Sequence, residues 1–261
     1  MGVCNVTPDS FSDGGRHFAE RDAIARIDAL LAEGADLIDM GGESTRPGAE
    51  PVEPREQIRR VINGIRHAAS HGACVSIDTT SPEVAAAALE AGAQIVNDVS
   101  CLRDPDLAKV AKDAGAAFVL MHSRGSPAEM QSKTTYEGDL VGALVGEWRF
   151  AAERASAQGL SQDALVMDPG IGFAKTAEQS IELLARTREI VSKVAPFPVL
   201  VGASRKSFLR GFDPEAKADE RLGGSIAAAV FAARAGAKIL RVHDVRATAQ
   251  AIDVSRKLEA R

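Results

Sequence analysis

A short phrase recurs along this chain and constrains its architecture more than any other feature: Gly-Ala, followed at once by a run of mostly apolar residues. It stands at Gly34-Ala35 before DLIDM, Gly72-Ala73 before CVSID, Gly92-Ala93 before QIVND, Gly115-Ala116 before AFVLMH and Gly236-Ala237 before KILRVH. Each glycine follows a segment with helical spacing of apolar residues, such as DAIARIDALLAE or PEVAAAALEA. Glycine suits the position just past a helix because it takes positive φ without a Cβ penalty. The run that follows, about four to six residues long, has the length of a strand buried on both faces.

VCNV, ALVMD and PVLVGA complete the set of such runs, and VGALVGEWRFAAERASA, AEQSIELLARTREIVSK and GGSIAAAVFAARAG read as helices between the later ones. Eight strands alternating with eight helices in 261 residues predict an α/β chain folded as a (β/α)8 TIM barrel. No composition break or linker divides it, so one domain is expected over 1–261. A doubly wound open sheet is the alternative, but its glycine-rich turn is missing. The nearest pattern, Gly170-Ile171-Gly172-Phe173-Ala174-Lys175, has lysine where a third glycine belongs, and the stretch before Lys206-Ser207 lacks the glycines of a phosphate-binding loop.

Hydrophobic residues make up 45% and charged residues 26%, the balance of an ordinary folded protein. A net charge of −5 argues against non-specific binding to nucleic acid or anionic membrane. No apolar run approaches the ~18 residues of a membrane span, and the start carries no basic-then-apolar leader. Three cysteines, at 4, 74 and 101, cannot all pair and fit no zinc or redox spacing; reduced thiols in a cytoplasmic protein are expected.

The expected strands end in polar groups. In order these are Asn5, Asp39, Asp78, Asn97 with Asp98, His122, Asp168, Ser204 to Lys206, and Arg241 with His243. In a barrel those ends converge on one mouth, where active sites of this fold lie. A single aspartate at a strand end is more often a cap or loop anchor, and Asp98, Asp104 and Asp244 are read that way when taken alone. That reading fails for all eight strands at once, because ionisable groups are rarely buried unless paired or bound to something.

The groups also differ in kind around the ring. Asp78, Asn97 and Asp168 supply mainly acceptors, which suits a flat heterocycle with a guanidine-like edge. Lys206, Arg241 and His243, if protonated, are cationic, and Arg46 in the loop after the second strand is placed to join them. With an uncapped helix start expected near Ser207, they suit phosphate or carboxylate. The loops TPDSFSDGG (7–15) and GGESTRPGAEP (41–51) are expected to be long, mobile lids over the mouth. His67 and His71, four apart, read as a solvated helix end rather than half a metal site. His17 reads as a lone loop histidine, and Trp148 and Phe150 as packing residues of an amphipathic helix. No Ser-His-Asp arrangement follows, since Ser44 and Ser204 lack a nucleophile elbow.

Taken in order, GVCNVTPDSFSDGG (2–15), DMGGESTRPGAEPV (39–52), SIDT (76–79), VNDVS (96–100), MHSRGSP (121–127), DPGIGFAKT (168–176), GASRKSFL (202–209) and RVHDV (241–245) resemble the dihydropteroate synthase family of folate biosynthesis. The resemblance covers essentially the whole chain. It implies condensation of 6-hydroxymethyl-7,8-dihydropterin pyrophosphate with p-aminobenzoate, with catalysis carried by Asp78, Asp168, Lys206, Arg241 and His243. By the same resemblance the pterin pocket comprises Asp78, Asn97, Met121, Asp168, Lys206 and Arg241. The pyrophosphate site comprises Asn5, Arg46, Arg241 and His243, with Mg²⁺ on Asn5 and Asp9 or Asp13 as alternatives for a further ligand. The aminobenzoate site comprises Phe11, Thr45, Arg46, Pro47, Phe173, Lys206 and Ser207. The family also implies a homodimer and competition by sulfonamides.

The chain departs from the family pattern in three places. It opens directly at Met1-Gly2-Val3, where the family carries a short extension, so a less well covered barrel floor is expected. Thr80 and Ser81 replace larger residues, and Cys101 stands where glycine is frequent, which is expected to alter that loop's backbone. A related methyltransferase barrel, presenting methyltetrahydrofolate to a corrinoid protein, would share the Asp78, Asn97 and Asp168 logic. It has no need of the STRPG and SRKS segments. A non-catalytic pterin-binding paralogue would be attractive only if Asn5, Lys206 or Arg241 were missing.

Overall fold

The computed structural model describes residues 1–6, 16–44 and 49–259. Strands and helices alternate: β1 (Gly2–Asn5), α1 (Arg16–Ala32), β2 (Leu37–Gly41), α2 (Pro54–Ser70), β3 (Cys74–Asp78), α3 (Pro82–Glu90), β4 (Ile95–Asp98) and α4 (Asp106–Asp113). The second half runs β5 (Ala117–Met121), α5 (Leu140–Ala157), β6 (Leu165–Asp168), α6 (Ala177–Ala185), α7 (Thr187–Val194), β7 (Leu200–Val201), α8 (Leu222–Arg234), β8 (Ile239–Leu240) and α9 (Val245–Glu259). Strands β1 to β6 form one parallel sheet in sequence order, and β7 pairs with β8. Parallel bridges Met167↔Val199 and Gly2↔Val242 join the two sheets at both seams, so the barrel closes as expected.

The repeated glycines sit where the sequence placed them. Gly34, Gly72, Gly92, Gly115 and Gly236 all have φ between 66° and 114°, each one step past a helix. Strand parity then separates two cores. Outward residues such as Ile38, Met40, Val75, Ile77, Val96, Phe118 and Leu120 pack against the helices in one large cluster. A smaller cluster, in which Met1, Ile95, Val119 and Leu200 pack with Leu37, Cys74, Ala117, Val166 and Ile239, fills the barrel interior.

Some expectations need correction. The segment 177–193 is not one helix: it breaks at Arg186 (φ −96°, ψ 17°) into α6 and α7, giving nine helices among the described residues. The Arg186 guanidinium binds Glu182 on one side of the break and Glu189 on the other, and reaches Asp139 as well. His17 lies in α1, not in a loop. Trp148 is buried and donates from Nε1 to the Leu120 carbonyl at 2.8 Å, but its neighbour Phe150 is 64% exposed and is not a packing residue. His67 and His71 do close α2, with His67 bound to Asp28 at 2.7 Å. The loop at 7–15 and residues 45–48 of the second loop lie outside the described residues, as do any lids they form.

Candidate active site

The barrel registers bring the polar strand ends to one level. Asn5 pairs with Gly41, Gly41 with Asp78, and Asp78 with Asn97, so these residues share one parity and face the interior. Asp39 points the same way two residues lower on β2. Asp98, by contrast, has the opposite parity. Its carboxylate accepts from the Ser100 and Leu102 amides and the Ser100 hydroxyl, which makes it a loop anchor. That loop passes through positive φ at Cys101 (61°) and Leu102 (54°), so the backbone where glycine was expected is indeed unusual.

At the centre of the mouth the Arg241 guanidinium, just past β8, donates from Nε to Asp39 at 2.6 Å and from Nη2 to Asp78 at 2.8 Å. Asn97 donates its amide to both Asp39 oxygens, at 3.4 and 3.2 Å. Asp39 is fully buried and Asp78 is 7% exposed. The acidic and cationic groups therefore do not stand apart on different sides of the ring, as charge sorting of the sequence suggested; they interlock, because a buried guanidinium needs carboxylate partners. Two carboxylates share one guanidinium, and the account does not balance: among the described residues the buried Asp78 Oδ1 has no partner. Burial, opposed by Arg241 and reinforced by Asp39, pushes the Asp78 pKa up to about 7. Asp168, at the end of β6, takes the Gly170 amide at 2.7 Å, and burial raises its pKa too.

The loop after β6 builds the adjoining wall. Lys206 donates to the Ile171 carbonyl and stands 4.7 Å above the centre of the Phe173 ring. Burial, opposed by Asp168, lowers its pKa to about 8. Gly202 lies between two cations: a Cβ there would stand 3.6 Å from the Arg241 stem and 4.0 Å from Lys206 Nζ. Ser207 opens a short 3-10 helix (Ser207–Gly211) with no side-chain cap, at the place where an uncapped helix start was expected.

His243 is also corrected. Burial, with Arg241 and Arg205 nearby, drives its pKa down to about 3, so the ring is neutral in the free protein. Ser204 Oγ accepts the His243 backbone amide at 3.2 Å and lies 3.0 Å from Nδ1. With the hydroxyl donating to Nδ1, the ring proton stands on Nε2 and is available to an anion. His122, expected in the mouth, has outward parity and is buried behind the wall beside Lys175.

Asn5, Asp78, Asn97, Met121, Asp168, Phe173, Lys206, Ser207, Arg241 and His243 are thus all at or next to the strand ends of one mouth. Phe11, Thr45, Arg46 and Pro47, with the alternatives Asp9 and Asp13, lie outside the described residues. Sequence reasoning gave no role to Asp39, which joins Arg241 to Asn97, or to Ser204, which orients His243. Strand parity was the available signal for Asp39, since it falls on the same face as Asp78.

A closed parallel barrel whose mouth holds a buried carboxylate with one oxygen left free among the described residues, a second buried carboxylate and buried cations belongs to a class of small-molecule enzymes. A family model described as pterin binding enzyme matches residues 1–243, and the chain belongs to that family. Within it, the chain is 44% identical to the dihydropteroate synthase of Synechocystis over 98% of its own length and 88% of that protein's. The fold is similar to that of the Yersinia pestis dihydropteroate synthase solved with a sulfonamide drug, with TM-score 0.92, 38% identity, and 100% and 94% of the two chains covered. It is also similar to the Xanthomonas albilineans dihydropteroate synthase in complex with 7,8-dihydropteroate, with TM-score 0.87, 38% identity, and 100% and 93% coverage.

Proposed function

We propose that this chain condenses 6-hydroxymethyl-7,8-dihydropterin pyrophosphate with p-aminobenzoate, forming 7,8-dihydropteroate and pyrophosphate. The observation that carries this is the buried, unpartnered Oδ1 of Asp78 beside Asn97. A pterin edge supplies the donors that such a set lacks. Asp168 accepts from the other end of the ring, Met121 packs against its face, and Lys206 closes the wall.

In the reaction the bond from the exocyclic methylene to the pyrophosphate oxygen breaks and a C–N bond to the arylamine forms, with loss of one amine proton. The pterin ring donates electrons toward the methylene, so positive charge develops there, and ionised Asp78 stabilises it. Charge also grows on the leaving pyrophosphate, where Arg241 and the Nε2–H of His243 meet it. The arylamine is largely neutral at pH 7, so positioning matters more than a strong base. Phe173, Lys206 and Ser207 hold the aminobenzoate, together with Phe11, Thr45, Arg46 and Pro47. Sulfonamides would compete there.

Mg²⁺ fits this mouth as a substrate-borne ion. Among the described residues no cluster of three His, Cys, Asp or Glu side chains forms an all-protein cage. Asn5 Oδ1 faces bare Gly41, whose absent Cβ would lie 3.0 Å away, leaving the oxygen an open approach. Magnesium is commonly held by one or two protein oxygens plus substrate phosphates. When bound it would neutralise leaving-group charge, with Asn5 as its protein ligand.

The test is a coupled assay for pyrophosphate, with and without p-aminobenzoate and Mg²⁺. Turnover only with methyltetrahydrofolate and a corrinoid partner would sink the assignment. The same assay reads pH dependence. Asp78 must be ionised to accept from the pterin, and Lys206 must keep its proton. The kcat/KM for the pterin substrate is therefore expected to rise through about pH 7 and to fall beyond about pH 8. Lys206→Arg should remove the alkaline limb.

The homodimer is proposed on an apolar face beside α6 and α8. Phe212 (73% exposed) and Phe231 (52%) flank a groove of about 670 Å³ floored by Leu184, Phe208 and Leu209. Monomers rarely leave such a patch bare, and a two-fold axis would cover it on both copies. Sedimentation is expected to give a dimer, and the double variant Phe212→Glu with Phe231→Glu a monomer; a monomeric wild-type chain at micromolar concentration excludes this surface.

A further inference from the structure

Behind the wall of the mouth lies a chain of contacts that no step above uses. Lys175 is buried, and its Nζ reaches the Phe173 carbonyl at 2.8 Å and His122 Nδ1 at 3.1 Å. His122 Nε2 is 3.1 Å from Glu147, which also binds Arg124, and the Arg124 guanidinium lies 3.8 Å over the Tyr136 ring. The Tyr136 hydroxyl returns to the same loop, donating to the Ala174 carbonyl at 3.0 Å. The circuit begins and ends on adjacent residues of the loop after β6.

That loop has little freedom elsewhere. Gly170 (φ 66°) lies so close that a Cβ would stand 2.0 Å from the His122 carbonyl oxygen, and Ala174 is held at φ 50°, a conformation alanine rarely adopts. A non-glycine residue keeps such a conformation only when its surroundings enforce it. Here the enforcing groups are Tyr136 from one side and Lys175 with His122 from the other. Between those fixed points sit Ile171 and Phe173, the two residues that touch Lys206.

We infer that His122, Tyr136 and Lys175 are positioning residues for the aminobenzoate half of the site: they clamp the 168–176 loop so that the Phe173 ring and the Ile171 carbonyl aim Lys206. The Lys175 amine donates to Nδ1, which leaves the His122 ring proton on Nε2 for Glu147, so a buried amine is linked to a carboxylate through a neutral imidazole. Burial keeps that imidazole neutral, with its pKa lowered to about 4. Asp78 stands on β3, apart from the circuit, whereas Asp168 takes the Gly170 amide at the start of the clamped loop. Lys206 meets both substrates but Phe173 and Ser207 only the aminobenzoate, so the clamp should weigh more on the aminobenzoate than on the pterin.

The inference rests on the synthase reading, and steady-state kinetics with both substrates separate the two. Tyr136→Phe removes one hydrogen bond and little else; it is expected to raise KM for p-aminobenzoate about tenfold and KM for the pterin substrate much less. Lys175→Met should raise the same KM further and lower kcat. His122→Gln, which can still accept from Lys175 and donate to Glu147, should stay near wild type where His122→Leu does not. Both KM values unshifted, or both shifted equally alongside a lowered Tm, would overturn the clamp. Absence of pyrophosphate release from the wild-type chain would instead overturn the synthase reading.

Discussion

Arg241→Met is expected to cost about 3–5 kcal/mol of folding stability, because it strands Asp39 and Asp78 in the barrel without a counter-ion. For a chain of this size that is a fall in Tm of roughly 6–20 °C. The deficit should depend on pH in a definite sense. Burial already pushes Asp78 up to about 7, and without the guanidinium that carboxyl holds its proton more tightly still in the folded state. A raised folded pKa gives stability at low pH that is lost as pH rises through that value. The gap between variant and wild type should thus be small at pH 5 and large at pH 8. Replacing the stranded acids as well, in the triple variant Asp39→Asn, Asp78→Asn, Arg241→Met, should recover most of the stability and none of the activity. Thermal melts at the two pH values check this; an Arg241→Met protein as stable as wild type at pH 8 would show that the ion pairs are not what keeps these acids charged.

That the interlocking of Arg241 with Asp39 escaped sequence reasoning has a physical cause. The two residues are 202 positions apart, and only barrel closure brings the last strand back beside the first. What closure needs was legible: Gly34, Gly72, Gly92, Gly115 and Gly236 announced helix ends, and all five take positive φ. The polar strand ends were legible too, but reading them as one ring ignored parity. Asp78 and Asn97 face inward, while Asp98 and His122 face outward, where they anchor loops. The break at Arg186 was hidden because the apolar spacing runs across it unbroken; the guanidinium contacts to Glu182 and Glu189 are local, but nothing in that spacing distinguishes them from pairs along one helix. The neutrality of His243 depends on burial and on the closeness of Arg241 and Arg205; RVHDV contains Arg241, but neither the burial nor Arg205.

Asp78→Asn is expected to make a more stable protein and a much slower enzyme. Two buried carboxylates share the Arg241 guanidinium, and Asp78 is the one left with an unpartnered oxygen. At pH 8 the wild-type protein holds that carboxylate ionised against its raised pKa, so the neutral amide relieves a cost and Tm should rise by a few degrees. At pH 5 the wild-type side chain is itself protonated in the folded protein, and the difference should shrink. Catalysis moves the other way. The carboxylate accepts from the pterin edge in the ground state, and its negative charge gains further use when positive charge develops on the methylene, so its loss falls more on the transition state than on ground-state binding. Release of pyrophosphate should slow by about 10²–10³, the scale of removing one preorganised electrostatic contact, with KM for p-aminobenzoate little changed. A rapid-quench measurement of pyrophosphate without p-aminobenzoate separates this from a binding defect. A burst at the wild-type rate from Asp78→Asn would mean that the charge of Asp78 does not assist departure of the leaving group. The combination of raised Tm at pH 8 and slowed release is the signature of a group kept at the expense of stability for the sake of the reaction.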